Sequence, residues 1–430
     1  MNRFLTTKIT SIKVRTSWRT WQILPFTLAV VAGPLITTVY RLTRPEDAVD
    51  GSFSLAQALR GILCLMMFFT LFLSGRLRLL GHRIVRPLMF LATYAVLTCM
   101  LSPYPYENIV FAVKSAFAAL LFAGAFHLAQ AKLCGENWLV GCAWVVLLLM
   151  AISQIIGLLT GNTVPFYASN YATAGLIDQP ELTSSLIVST VPVFLRFFPK
   201  SRAALAGMMV LLISLFFTMK RTALIAVAGA ILCILARNLN PFRSRIPWRR
   251  ALLAALVICV LIVIALQSQA GKDLLDRMSE LDPSQGTGSG RYTFWRIAIN
   301  NIMDRGIGAQ ILGQGTGSIR DVMDRHFGSP IGSHTAWLDL THAFGIFGLM
   351  AIGWWYLELI RFANYLRTVR DPAFQGVFSA IVILFLISIG QGGFSDPSFA
   401  LIYVALGFWA GKVSYRSLPH NAGRNSYRTL

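Results

Sequence analysis

Charge is scarce in this chain. Asp, Glu, Lys and Arg make up 13% of its 430 residues, roughly half the share of an average soluble domain, which excludes a solvated polar coat over most of the molecule. Acidic side chains are scarcest, 18 against 38 Lys and Arg. Cysteines number six, at 64, 99, 134, 142, 233 and 259. They form no CxxC pair that would hold zinc, and they avoid the long loop described below, so no disulfide framework builds that loop. The few histidines lack a metal-ligand spacing such as HExxH, so no metal is expected. The stretch GQGTGS at 313–318 lacks the following Lys of a phosphate-binding nucleotide loop, and neither nucleotide nor other cofactor is expected. Short strands of alternating polarity are missing, against a transmembrane barrel. No small-residue cleavage site follows the first apolar run, so that run is read as a membrane helix rather than a secretion signal.

What fills the chain instead is apolar sequence, 55% of all residues. A bilayer core of about 30 Å is crossed by about 20 helical residues, and helices satisfy their own backbone in lipid. Twelve apolar segments are read, at about 22–40, 53–73, 87–101, 108–129, 138–160, 183–199, 203–219, 221–236, 251–267, 336–358, 374–390 and 397–412. Lys220 and Arg221 split the run from 203 to 236 at a tight turn. The expectation is an all-α polytopic membrane protein, one membrane domain over 1–430 with about twelve transmembrane helices.

The excess of positive charge, +20 in formal terms, suits topology better than nucleic acid. With both termini in the cytoplasm, about 25 of the 38 Lys and Arg fall inside and about 11 outside, seven of those in one loop, as the positive-inside rule requires. Two external loops result, 161–182 and 268–335. The second, between the ninth and tenth helices, is too poor in apolar sequence to be a separate cored domain. Within it YTFWRIAINNIMDR reads as an amphipathic helix turning Phe294, Ile297 and Ile302 toward membrane or protein, bracketed by Gly-rich turns at 286–290 and 313–317. Loops this long usually carry function.

Three basic residues fall near the same external surface. Arg221 opens the eighth helix, Arg291 follows a Gly-rich turn and His334 precedes the tenth helix. A guanidinium fork binds phosphate oxygens in pairs, nearby Gly-turn amides add donors, and imidazole accepts a proton near neutral pH. The plainer readings are an interfacial anchor for Arg221, a solvated loop charge for Arg291 and a helix-flanking residue for His334. Arg60, Lys114, Asp339 and Glu358 lie in or near apolar segments, where charges often mark a pathway or serve as structural partners. His326 and His342 are weaker candidates.

These residues resemble the O-antigen ligase and polymerase superfamily of bacterial envelope glycosyltransferases. The likeness rests on KRTALIA at Arg221, on SGRYTFWRIAINNI followed by ILGQGTGS, and on SHTAWLDLTHAFGIFGL, and spans about 215–350. Thr335 stands where the family commonly has Asn, and Gln179-Pro180-Glu181 replaces an Asn-bearing pattern. The resemblance implies a metal-independent, inverting glycosyltransferase at the periplasmic face of the bacterial inner membrane. Its donor would be a glycan on undecaprenyl diphosphate and its acceptor a glycan lipid. It implies diphosphate binding by Arg221 and Arg291 and catalysis by His334, with Lys220, Asp339 and Glu181 as possible assistants. HTAWLDL leans toward an O-antigen or exopolysaccharide polymerase. The alternative is an O-antigen ligase acting on lipid A core in lipopolysaccharide synthesis. A polysaccharide or lipid transporter would instead show midplane charges and symmetric halves.

Overall fold

The computed structural model describes residues 19–32, 55–100, 102–161, 173, 175–177, 180–198, 201–238, 272, 291–328, 331–390 and 396–413. The ninth apolar segment, Cys259, the Gly-rich turn at 286–290 and most of the loop 161–182 lie outside them. The described residues are overwhelmingly helical and contain no strand. In chain order the helices are α1 (19–32), α2 (Leu55–Leu73), α3 (Arg86–Thr98), α4 (Pro105–Gln130), α5 (Glu136–Leu159), α6 (Pro180–Ser189), α7 (Val191–Phe197), α8 (Arg202–Thr218) and α9 (Arg221–Asn238). Then come α10 (Arg291–Met303), α11 (Ile307–Leu312), α12 (Ser318–Phe327), α13 (Ala336–Thr368), α14 (Ala373–Gly390) and α15 (Ala400–Lys412). By length and composition α4, α5, α13 and α14 can each cross a membrane, and α2, α8 and α9 hold shorter apolar stretches.

The surface is inverted relative to a water-soluble fold. Leu73, Leu97 and Leu159 are 64%, 67% and 81% exposed, while Asn108, Thr183 and Ser184 are fully buried. An apolar solvent permits the first and demands that the second find partners inside. Packing follows membrane logic too. α15 lies in close register against α4, where a Cβ at Gly407 or Gly411 would come 2.1 or 2.2 Å from the carbonyl oxygens of Phe122 and Phe126. Small residues four apart let two backbones touch along one seam.

Two apolar segments are not single rods. The sixth breaks at Thr190 into α6 and α7, with Pro192 in the first turn of α7, a position proline tolerates because its missing N–H is unneeded there. The tenth, α13, is interrupted at Gly345, whose φ of 59° and ψ of −147° are non-helical. A Cβ there would lie 2.2 Å from the carbonyl oxygen of Ile311, so only glycine fits both the backbone and the space. The break frees the carbonyls of His342 and Ala343. They accept the N–H groups of Gln314 at 3.2 Å and Gly315 at 2.8 Å, which answers the accounting that a buried backbone imposes.

One end of the helix assembly gathers the C-terminal ends of α3, α8 and α14 and the N-terminal ends of α4, α6, α9 and α13, together with α10 to α12. Tyr94 of α3 donates to the Leu312 carbonyl at 3.2 Å, and Thr335 reaches the Ser388 carbonyl at 3.1 Å. The other end holds Glu136, paired with Arg196 at 3.4 Å and Lys412 at 2.5 Å.

Candidate functional site

The site forms where α9 begins. Met219 ends α8 in the left-handed conformation, φ 51°, so the chain reverses in two residues and α9 restarts at Arg221. That puts Lys220, Arg221 and Thr222 at a helix N-terminus, all buried, where the positive end of the helix dipole favours an anion; the Lys220 N–H itself donates to Thr218 Oγ1 at 3.3 Å. Lys220 pairs with Glu181 in the first turn of α6, Nζ to Oε1 2.5 Å. Arg291, the first residue of α10, donates from Nη1 to Thr222 Oγ1 at 3.4 Å. Thr222 in turn reaches the Gly390 carbonyl at 3.5 Å, at the C-terminal end of α14.

His334 enters from the segment before α13. Its backbone is left-handed, φ 60°, a conformation that costs a non-glycine residue about 1–2 kcal/mol and needs surrounding contacts to hold it. Those contacts are present on both neighbours. Asp339 Oδ1 accepts the Ser333 N–H at 3.0 Å and the Ser333 hydroxyl at 2.6 Å. Trp295 of α10 donates from Nε1 to the Ser333 carbonyl at 3.2 Å. The imidazole lies beside the Phe294 ring, 5.7 Å between centroids.

The four charged or titratable groups feel one another. Burial pushes the Glu181 carboxyl upward, but the charge and hydrogen bond of Lys220, followed by His334 and Arg291, more than offset it and leave it below its usual value. Burial lowers the His334 imidazole; Glu181 opposes that, and Arg291 and Lys220 add to it. The result is a neutral imidazole and an ionised carboxylate beside two cations. The structure therefore brings Lys220, Glu181, Arg291 and His334 into one electrostatic neighbourhood. Arg221 is the chain neighbour of Lys220 and Thr222 and is buried. Asp339 approaches through the backbone of Ser333.

The Gly-rich turn 313–317 corrects an expectation. Four of its five amides are spent within the chain: Gly313 N–H donates to the Ala309 carbonyl at 2.9 Å, Gln314 and Gly315 cap the broken α13, and Thr316 N–H donates to Asn108 Oδ1 at 2.9 Å. The turn is a structural clamp between α4 and α13 rather than a set of donors for a phosphate. α11 lies between the turn and the amphipathic helix. That helix does turn Phe294 and Ile297 inward, against Ala298, Ile319 and Met323.

A second polar cluster was not legible from spacing. His342 is fully buried and contacts Arg305 through both ring nitrogens, the Ser318 hydroxyl at 2.8 Å and Asn301 Oδ1 at 3.0 Å. Arg305 also holds Asn301 at 2.6 Å and the His342 carbonyl at 3.3 Å. Burial, then Arg325, lowers the Arg305 guanidinium to about 10. The cluster ties α10, α12 and the first half of α13 into one unit. Its sequence signal was HAFG, a histidine three residues before the glycine that breaks the helix. His326 is exposed on α12, and Glu358 pairs with Arg361 at 2.5 Å far along α13.

No curated protein matches the chain in a sequence comparison. A family model described as O-antigen ligase matches residues 206–353. That segment contains Lys220, Arg221, Arg291, His334 and Asp339, and it leaves out Glu181. Over residues 206–353, then, the chain is similar to the O-antigen ligase family.

Proposed function

We propose that the chain is an inverting, metal-independent glycosyltransferase of the periplasmic face of the bacterial inner membrane. It takes a glycan from undecaprenyl diphosphate and adds it to another lipid-linked glycan, extending an O-antigen or exopolysaccharide chain. In this reading the chain crosses the membrane twelve times with both termini in the cytoplasm, and 161–182 and 268–335 lie in the periplasm. The observation that carries the reading is the meeting of Arg291, Lys220 and Glu181 with His334 at the N-terminus of the helix that Arg221 opens.

Each part has a chemical task. Arg221 and Arg291 bind the two phosphates, with Lys220 as a third cation, and neutralise the charge that builds as the diphosphate leaves. The acceptor hydroxyl oxygen bonds to the anomeric carbon on the face opposite the diphosphate, and the carbon–oxygen bond to the diphosphate breaks. The hydroxyl proton passes to His334, held neutral by its burial among cations. The lipid diphosphate is already an activated leaving group, so no nucleotide takes part.

The family model's description favours a second acceptor, the lipid A core, which makes the chain a ligase. Reconstitution with a lipid-linked oligosaccharide, with and without lipid A core, decides between them. Longer lipid-linked chains mark a polymerase, and glycan appearing only on the core marks a ligase. His334→Ala is expected to abolish either product while membrane insertion stays intact. Unchanged product from that variant removes the imidazole from the mechanism.

A further inference from the structure

The loop helices divide their exposed surface by polarity. α12 shows solvent Arg320, Asp321, Asp324, Arg325 and His326, a water-facing surface. α10 and α11 show the opposite. Tyr292, Ile299 and Met303 fall on one side of α10, 49%, 47% and 69% exposed, and Ile307, Ile311 and Leu312 of α11 are 74%, 42% and 47% exposed. Scattered exposed apolar residues are ordinary, but a contiguous row on two successive helices marks an interaction surface.

The row is continuous with a face that lipid covers. A Cβ on Gly345 would touch the Ile311 carbonyl oxygen, and the next residue, Ile346, is itself exposed, as are Met350, Trp354 and Leu357 along α13. α13 is long and apolar enough to cross the membrane. On the other flank the Leu312 carbonyl accepts from Tyr94 of α3, whose Phe90, Val96 and Leu97 also face outward. The apolar surface thus runs from the sides of two apolar helices onto α11 and α10, with the exposed Asp304 in the turn that joins those two helices. Arg296 is the one ionised residue on this side of α10, and its long stem allows the guanidinium to rise to headgroup level.

We propose that this face of α10 and α11 is seated among the acyl chains of the adjoining leaflet, as an interfacial ledge. The ledge holds α10 at the lipid boundary and so fixes the depth of its first residue, Arg291, at the level where a lipid phosphate lies. The inference rests on the chain lying in a membrane and not on which glycan it transfers.

The test uses the native full-length protein in phospholipid nanodiscs and two footprinting reagents. One is hydroxyl radical made in the water; the other is a diazirine dissolved in the acyl chains. Met303 and Ile307 are expected to acquire carbene adducts at levels comparable with Met350 and Leu357. Met303 should also escape oxidation while His326 is oxidised, although a thioether in water reacts faster than an imidazole. Oxidation of Met303 ahead of His326 overturns the proposal. So does labelling of Met303 and Ile307 by neither reagent, which would mean that protein covers them. Adducts missing from Met350 and Leu357 as well would overturn the membrane reading itself.

Discussion

Asp339 offers the sharpest separation between holding a site and doing its chemistry. Its Oδ1 accepts both the N–H and the hydroxyl of Ser333, and Ser333 is fully buried. In Asp339→Ala the hydroxyl can turn to the Thr335 carbonyl, 3.2 Å away, but the Ser333 N–H is left unsatisfied. A buried donor without a partner costs about 1–3 kcal/mol. Taking about 2 kcal/mol as the loss of the conformation that presents His334, transfer falls about thirtyfold. Asp339→Asn keeps an amide oxygen in the place of Oδ1. It loses only charge assistance, about 1 kcal/mol, so transfer falls about fivefold. Two measurements check this. One is kcat for glycan transfer in proteoliposomes, with donor KM unchanged. The other is hydrogen exchange of the peptide spanning 331–337, faster in the Ala variant and near normal in the Asn variant. An Asn variant as inactive as the Ala variant, with normal exchange, would refute the positioning role and place the carboxylate in the reaction.

The remaining predictions concern the cations, the proton and the helix break. Because burial, Arg291 and Lys220 hold His334 below its ordinary value, the acid limb of the pH–rate profile should lie below about 6.5. Glu181→Gln removes the charge that opposes this shift, so the limb should move further down; an upward move would contradict the coupling. Arg221→Lys and Arg291→Lys should restore transfer only partly relative to Ala, since a point charge lacks the planar fork; full activity from both would argue against paired recognition of phosphate. Gly345→Ala should eliminate the monodisperse peak in detergent gel filtration, because its Cβ meets backbone at Ile311. Gly353→Ala in the same helix, with open space around it, should fold normally.

The helices and the residues that open them were readable along the chain. A helix in lipid is recognised by a local run of apolar side chains, so α4, α5, α13 and α14 are visible without any partner. The split before Arg221 was visible because two adjacent cations interrupt such a run, and the inward face of α10 because Phe294 and Ile297 share a helical side. The motif GIFGL could be seen, but not the reason for it. Gly345 is required by a carbonyl on α11 that no local pattern announces.

Tertiary structure alone decided the pairings. Lys220 meets Glu181, Thr222 meets Arg291 and His342 meets Arg305 across gaps in sequence that carry no periodicity. A polar group buried in a membrane protein takes whatever partner the packing of helices brings within about 3 Å. The turn 313–317 shows the same limit. Composition marks it as flexible and rich in amides. Whether those amides face a ligand or the chain's own carbonyls depends on α13 being broken beside it, and that is a property of the packed molecule.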